Sequence, residues 1–169
     1  MKVIYALFKT YPEAREAANA LLERGFEAGE MNALVLEEVR DQQELGAGLQ
    51  RTHEALSAAD AATGRTPPLR GLDRLLADQR PVEISGAGTV VAGGNLANLL
   101  VRAALDPSGP GPGLAPSLAQ FLPADVAERL ARGLTGGRLL YWLRTTDDRA
   151  AEAAAVLRKA AGASEVHVA

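Results

Sequence analysis

The chain of 169 residues has no cysteine, two histidines, and only 4% aromatic residues. Without a thiol there can be no disulfide framework, no zinc–thiolate site and no cysteine nucleophile. Two histidines, His53 and His167, are too few for a His-rich metal site or a multi-histidine cofactor cage, so no metal and no cofactor is implied. Basic residues (18) are outnumbered by acidic ones (21), and a net charge of −3 gives no electrostatic footprint for nucleic acid. Long apolar runs are missing too. The longest stretch free of charge, residues 84–101, is interrupted by four Gly, two Asn, a Ser and a Thr, whereas a membrane-spanning helix needs about 20 predominantly apolar residues. The opening run 3–8 is shorter than a signal-peptide core and no cleavage pattern follows it. The expectation is a cytoplasmic protein with no stable membrane insertion and no nucleic-acid partner.

Alanine (33) and leucine (25) are abundant, which points to helices packed through small side chains. The length suits a single domain, 1–169. Its two ends repeat one pattern. In the first unit, 1–38, an apolar run ends at Phe8, and Thr10, Pro12 and Glu13 make a capping signal. Ala14, Ala17, Ala18 and Leu21 then recur on one helical face. Gly25 stands where a helix takes its left-handed terminator, and a second run, 33–36, follows. In the last unit, 138–169, the run 139–143 leads to candidate caps Thr145 and Thr146, with Asp147 and Asp148 at the helix's positive end. Ala150, Ala153, Ala154 and Leu157 repeat the first stripe at a constant offset, and Gly162 and the strand 165–168 close the unit.

Two strand–helix–strand units predict an α+β protein with a ferredoxin-like antiparallel sheet, four strands with two helices on one face. The hundred residues between them, 39–137, form a long, mainly helical insertion containing Gly and Pro. Within it the pattern predicts an amphipathic helix over 39–62, a break at 64–68 and a short helix over 69–76. An extended Gly-rich segment over 81–91, a helix capped by Asn95 and running to about 105, and a turn over 106–116 follow. A helix over 117–134 comes last, its second half started by Pro123.

The first strand does not alternate apolar with polar. Val3, Tyr5 and Leu7 point to one side, and Ile4, Ala6 and Phe8 to the other. The run 139–143 does the same, Arg144 being the exception. A sheet apolar on both faces needs a second cover, either the helices of 39–134 or another copy of the chain.

Catalytic motifs are scarce. The segment PVEISGAGTVVAGGN offers Gly86, Gly88, Gly93, Gly94 and Asn95 as a candidate ligand-binding set, with an anion at the start of the Asn95-capped helix. It departs from the known phosphate motifs: Val91 follows Gly86-x-Gly88 where a third Gly belongs, and Gly94 and Asn95 replace the Lys and Ser/Thr of a P-loop. Close packing is the simpler use of these glycines. His53 lacks the second His of a zinc-protease helix. Asp147 and Asp148 suit a helix start better than acid–base work, and the five serines form no nucleophile elbow. Tyr5, Phe8, Tyr141 and Trp142 suggest the aromatic pairs of RNA-binding sheets, but the basic residues are missing and the first unit has 4 basic against 7 acidic residues. No catalytic residue emerges, and the reading leans against an enzyme.

The order of three strings, VIYALFKTYPEAREAANALLERGF, ISGAGTVVAGGNLANLL and LPADVAERLARGLTGGRLLYWLRTTDDRAAEAAAVLRKAAGA, resembles the bacterial general stress protein, or heat-induced stress protein, family. The resemblance spans nearly the whole chain except the polar segment 39–80. It implies a stress-associated cytoplasmic protein, with no family active-site residues to carry over. The expected function is therefore non-enzymatic: self-association as a homo-oligomer, most simply a dimer, or the binding of a small-molecule ligand. The alternative is a small enzyme with a pocket between the sheet and the helical insertion, where Tyr5, Tyr141, Arg144, Asn95 and Asn98 are the available polar groups.

Overall fold

The computed structural model describes residues 1–42, 69–77, 79–111, 113–159 and 163–169. The elements are β1 (Lys2–Phe8), α1 (Tyr11–Glu23), β2 (Met31–Leu36), α2 (Gly71–Leu76), β3 (Val82–Ile84), β4 (Gly88–Gly93), α3 (Asn95–Leu105), α4 (Leu114–Leu118), α5 (Ala124–Thr135), β5 (Leu139–Thr145), α6 (Ala150–Lys159) and β6 (Ala163–Val168). A 3-10 turn (Ala28–Glu30) leads into β2, and residues 37–42 after it are helical. The expected helix over 39–62 overlaps these last residues; its remainder, the break at 64–68, His53 and Gly162 lie outside the described residues.

The strands form one sheet of six in the order β3-β4-β2-β5-β1-β6, with every neighbouring pair antiparallel. Head and tail of the chain thus share one layer, Lys2 lying opposite Thr145 and Phe8 opposite Leu139. Because β5 is antiparallel to both β1 and β2, those two strands run parallel with β5 between them, and α1 joins them. By the same logic β5 and β6 run parallel on either side of β1, joined by α6. The sheet has six strands rather than the four expected. The insertion is not only helical: its Gly-rich segment folds into the hairpin β3–β4, which pairs with β2.

Local chemistry explains the boundaries. Thr10 is extended (φ −132°) and its Oγ1 accepts the Glu13 N–H at 3.4 Å, with Pro12 in the first turn, so α1 starts where the capping signal stands. Gly25 (φ 80°) ends it, and the Phe26 N–H returns to the Leu21 carbonyl at 3.1 Å. Of the two candidate caps before α6, Thr145 is instead the last residue of β5 and is buried. The helix expected over 117–134 is two helices: α4 begins at Leu114 and α5 starts after Pro123, with a turn between them.

Both faces of the sheet are covered by the chain's own helices. On one face Ile4, Ala6, Phe8, Ala33, Tyr141 and Leu143 pack against α1, α2 and α6. The eight residues of the repeated stripe all belong to this core. Alanine on the two helices faces rings on the strands, where Phe8 meets Tyr141 edge-on at 6.4 Å. On the other face Tyr5, Leu7, Leu34, Leu140 and Trp142 pack against α3, α4 and α5. Phe8 is 0% and Trp142 3% exposed, so the second cover demanded by the two-sided apolar strands comes from the insertion. Arg144, the polar exception in β5, is at an exposed position. No helix among the described residues is long and apolar enough to cross a membrane.

Candidate functional site

The five residues singled out in the Gly-rich segment do not converge. Gly86 (φ 78°) and Gly88 (φ 95°) shape the exposed turn of the β3–β4 hairpin. Gly93, Gly94 and Asn95 lie at the other end of β4, about 17 Å away at the rise of an extended strand. At Gly93 an added Cβ would overlap the backbone carbonyl of Leu75, so this glycine lets α2 lie directly on the strand. At Gly94 (φ 101°) a Cβ would overlap Asn32 Oδ1 and the Met31 carbonyl. Three of the five thus sit together, and two of those three serve close approach of backbone.

The start of α3 is capped from a distance. Asn95, the expected cap, is the first residue of the helix and is exposed; Gly94 occupies the cap position. The acceptor is Asn32 of β2, 2% exposed, whose Oδ1 receives the N–H groups of Leu96 (2.9 Å) and Ala97 (3.1 Å). Asn32 Nδ2 donates to the Glu30 carbonyl at 3.3 Å, which fixes the amide's orientation. The first free donors of the helix are therefore taken by a neutral side chain, where an anion would otherwise sit. Asn98 donates its Nδ2 to the Gly94 carbonyl at 2.9 Å.

The other polar candidates are also separated. Tyr5 and Tyr141 belong to opposite faces of the sheet. Burial raises the pKa of both phenols, most strongly for Tyr141, whose buried hydroxyl has no hydrogen-bond partner among the described residues. Arg144 makes a two-pronged contact with Glu30, at 2.6 Å from Nε and 3.0 Å from Nη2. These hydrogen bonds hold the Glu30 carboxyl below its ordinary pKa and the guanidinium above its own. Among the described residues no group of three or more His, Asp and Glu side chains stands where it could hold a metal ion.

One arrangement carries no sequence motif. Strand register aligns His167, Tyr5, Trp142 and Asn32 in a single row across β6, β1, β5 and β2, all on the face covered by α3, α4 and α5. Tyr5 and Trp142 stack there, 5.9 Å between centroids and 26° between planes. At the open end of the row, β6 carries Glu165 next to His167 on the same face, and Arg129 of α5 holds Glu165 Oε1 at 3.0 Å. The only local signal for Asn32 was a lone amide inside the apolar run MNALVL. No family model matches the chain, and no curated protein or solved structure matches it either.

Proposed function

We propose that the protein is a non-enzymatic, stress-associated cytoplasmic protein that acts by self-association, most simply as a homodimer. Its frame is read as ferredoxin-like. The order β2-β5-β1-β6, with β1-α1-β2 and β5-α6-β6 interleaved, supports that reading, and the hairpin β3–β4 extends it at one edge. The stress association rests on the resemblance of the three sequence strings. The observation that carries the functional reading is the closure of both sheet faces by the chain's own helices. Contacts with other molecules are then left to the sheet edges and the outer helix surfaces.

Size-exclusion chromatography with light scattering, run over a range of concentrations beside a thermal-shift screen of metabolites, tests this. The expected result is a dimer in the absence of any ligand. A monomer whose melting temperature rises with a small molecule would overturn it.

That outcome would favour a second reading, a ligand or substrate site between the sheet and the insertion. The stacked Tyr5–Trp142 pair, in one row with His167 and Asn32, is the feature that supports it. Replacing His167 by Ala would then abolish the ligand-induced shift.

A further inference from the structure

The two edges of the sheet are built differently. β3 is blunted: three residues long, entered through Pro81 and carrying Glu83. Short length, proline and charge are the usual protections of an edge against pairing with another chain. β6 has neither of the first two and no lysine; its one irregularity is a register shift at its start, between the pairs Leu7–Glu165 and Phe8–Ala163, and it is regular from Glu165 on. It runs for six residues, ASEVHV, and among the described residues no strand pairs with its outer side.

The ladder to β1 determines what that outer side presents. Val3 and Ala169 exchange both of their backbone hydrogen bonds, at 3.0 and 2.8 Å. Stepping by two along the register, Tyr5 with His167 and Leu7 with Glu165 are pairs of the same kind. The N–H and C=O groups of residues 165, 167 and 169 therefore point to β1, and those of 166 and 168 point outward; the alternation ends at 165, because the register shifts there and Phe8 pairs with Ala163.

We propose that β6 pairs antiparallel with β6 of a second copy across a twofold axis at Val166, joining two sheets edge to edge. This rests on the self-association reading and names its surface. A twofold axis demands a self-complementary strand, and β6 is one. With the axis at Val166, the outward backbone groups of Val166 bond those of its own twin. Glu165 falls opposite His167 of the other copy, twice. These are the pairs without mutual backbone bonds, whose side chains come closest. The bond from Arg129 uses Oε1 of Glu165 and leaves Oε2 for the imidazole. An axis at Glu165 would oppose two carboxylates, and one at Val168 would leave half the strand unpaired. Glu165 and His167 share one sheet face in the monomer, as the pairing requires.

The test is sedimentation equilibrium on the full chain and on the variants Val166→Pro, His167→Glu and His167→Lys, with circular dichroism as the control for folding. Val166→Pro removes an outward N–H while leaving every bond to β1 in place, and an edge strand with its N–H turned outward is a setting that tolerates proline. It should weaken the dimer at least tenfold. His167→Glu, which sets like charges opposite Glu165, should weaken it about tenfold, and His167→Lys should preserve it. If Val166→Pro does not fold, the opposed effects of Glu and Lys at 167 decide alone. A wild-type chain that is monomeric at high concentration overturns both this interface and the self-association reading. A dimer indifferent to Val166→Pro, or to the sign of the charge at 167, overturns the interface and leaves self-association standing.

Discussion

Asn32 and Leu96 are 64 residues apart in sequence, yet the side-chain oxygen of one accepts the backbone N–H of the other at 2.9 Å. Through this bond and its companion to Ala97, a strand in the middle of the sheet sets the position of the first helix covering its far face. Replacing Asn32 by Ala leaves two helix N–H groups without a partner, one of them in a buried bond. The expected loss is about 2 kcal/mol, the combined scale of a lost helix cap and an unmet buried donor. Urea denaturation of the full chain measures it, and a loss below about 0.5 kcal/mol would show that solvent takes over the cap.

The glycines on either end of β4 should answer substitution differently. Gly94→Ala meets both an unfavourable backbone (φ 101°) and overlap with Asn32 Oδ1 and the Met31 carbonyl. Gly86→Ala has a similar backbone cost (φ 78°) but nothing within 4 Å of the added carbon. The first should lose well over 2 kcal/mol and the second about 1 kcal/mol. Gly93→Ala belongs with the first, because the atom it meets is the Leu75 carbonyl, fixed backbone that cannot rotate away. Thermal melts of the three variants give the order, and equal losses at 86 and 94 would contradict this account of the packing.

What could be read from the chain divides along the range of the interactions. The stripe Ala14, Ala17, Ala18, Leu21 and its copy at 150–157 were legible because a helix's period is a local property, and every member is buried. The two-sided apolar strands 3–8 and 139–143 likewise announced that the sheet needed two covers. That head and tail share one sheet was legible from their repeated pattern, but the pairing of the segment between them was not. The segment 81–91 reads as extended, but nothing local says that it folds on itself and joins β2. Asn95 looked like the cap of α3 because it stands next to the helix, whereas Asn32 reaches it only through the fold. Arg144 stood out as an exception in its strand, and its partner Glu30 lies 114 residues away.

That pair gives the stability a dependence on acid. The hydrogen bonds from Arg144 lower the Glu30 pKa from its ordinary 4.5. A carboxyl with a lowered pKa in the folded state stabilises the protein fully above its unfolded value, and the contribution disappears as pH falls through the folded value. At pH 7, Glu30→Gln should therefore be less stable than the parent, and the gap should close as the pH is brought below about 4. The effect is small, since both side chains are partly solvated (28% and 45% exposed). Denaturation midpoints of the two proteins across that range check the sign; a gap that widens in acid would contradict it.

Tyr141 presents the opposite case, a polar atom whose removal should help. The ring fills the centre of the core beneath α1 and α6, 0% exposed and edge-on to Phe8, while its buried hydroxyl has no hydrogen-bond partner among the described residues. Burying a hydroxyl without a partner costs about 1–3 kcal/mol, and Phe keeps the ring and nearly all of its contacts. Tyr141→Phe is expected to raise stability by about 1 kcal/mol, part of the cost returning as a small void where the oxygen was. In a chain of this size that is about 2–4 °C in melting temperature. The same substitution at Tyr5 has no such orphan to remove and should leave the melting temperature within about 1 °C. Melting curves for the two variants separate the cases, and a destabilised Tyr141→Phe would mean that a buried water serves the hydroxyl and belongs to the fold.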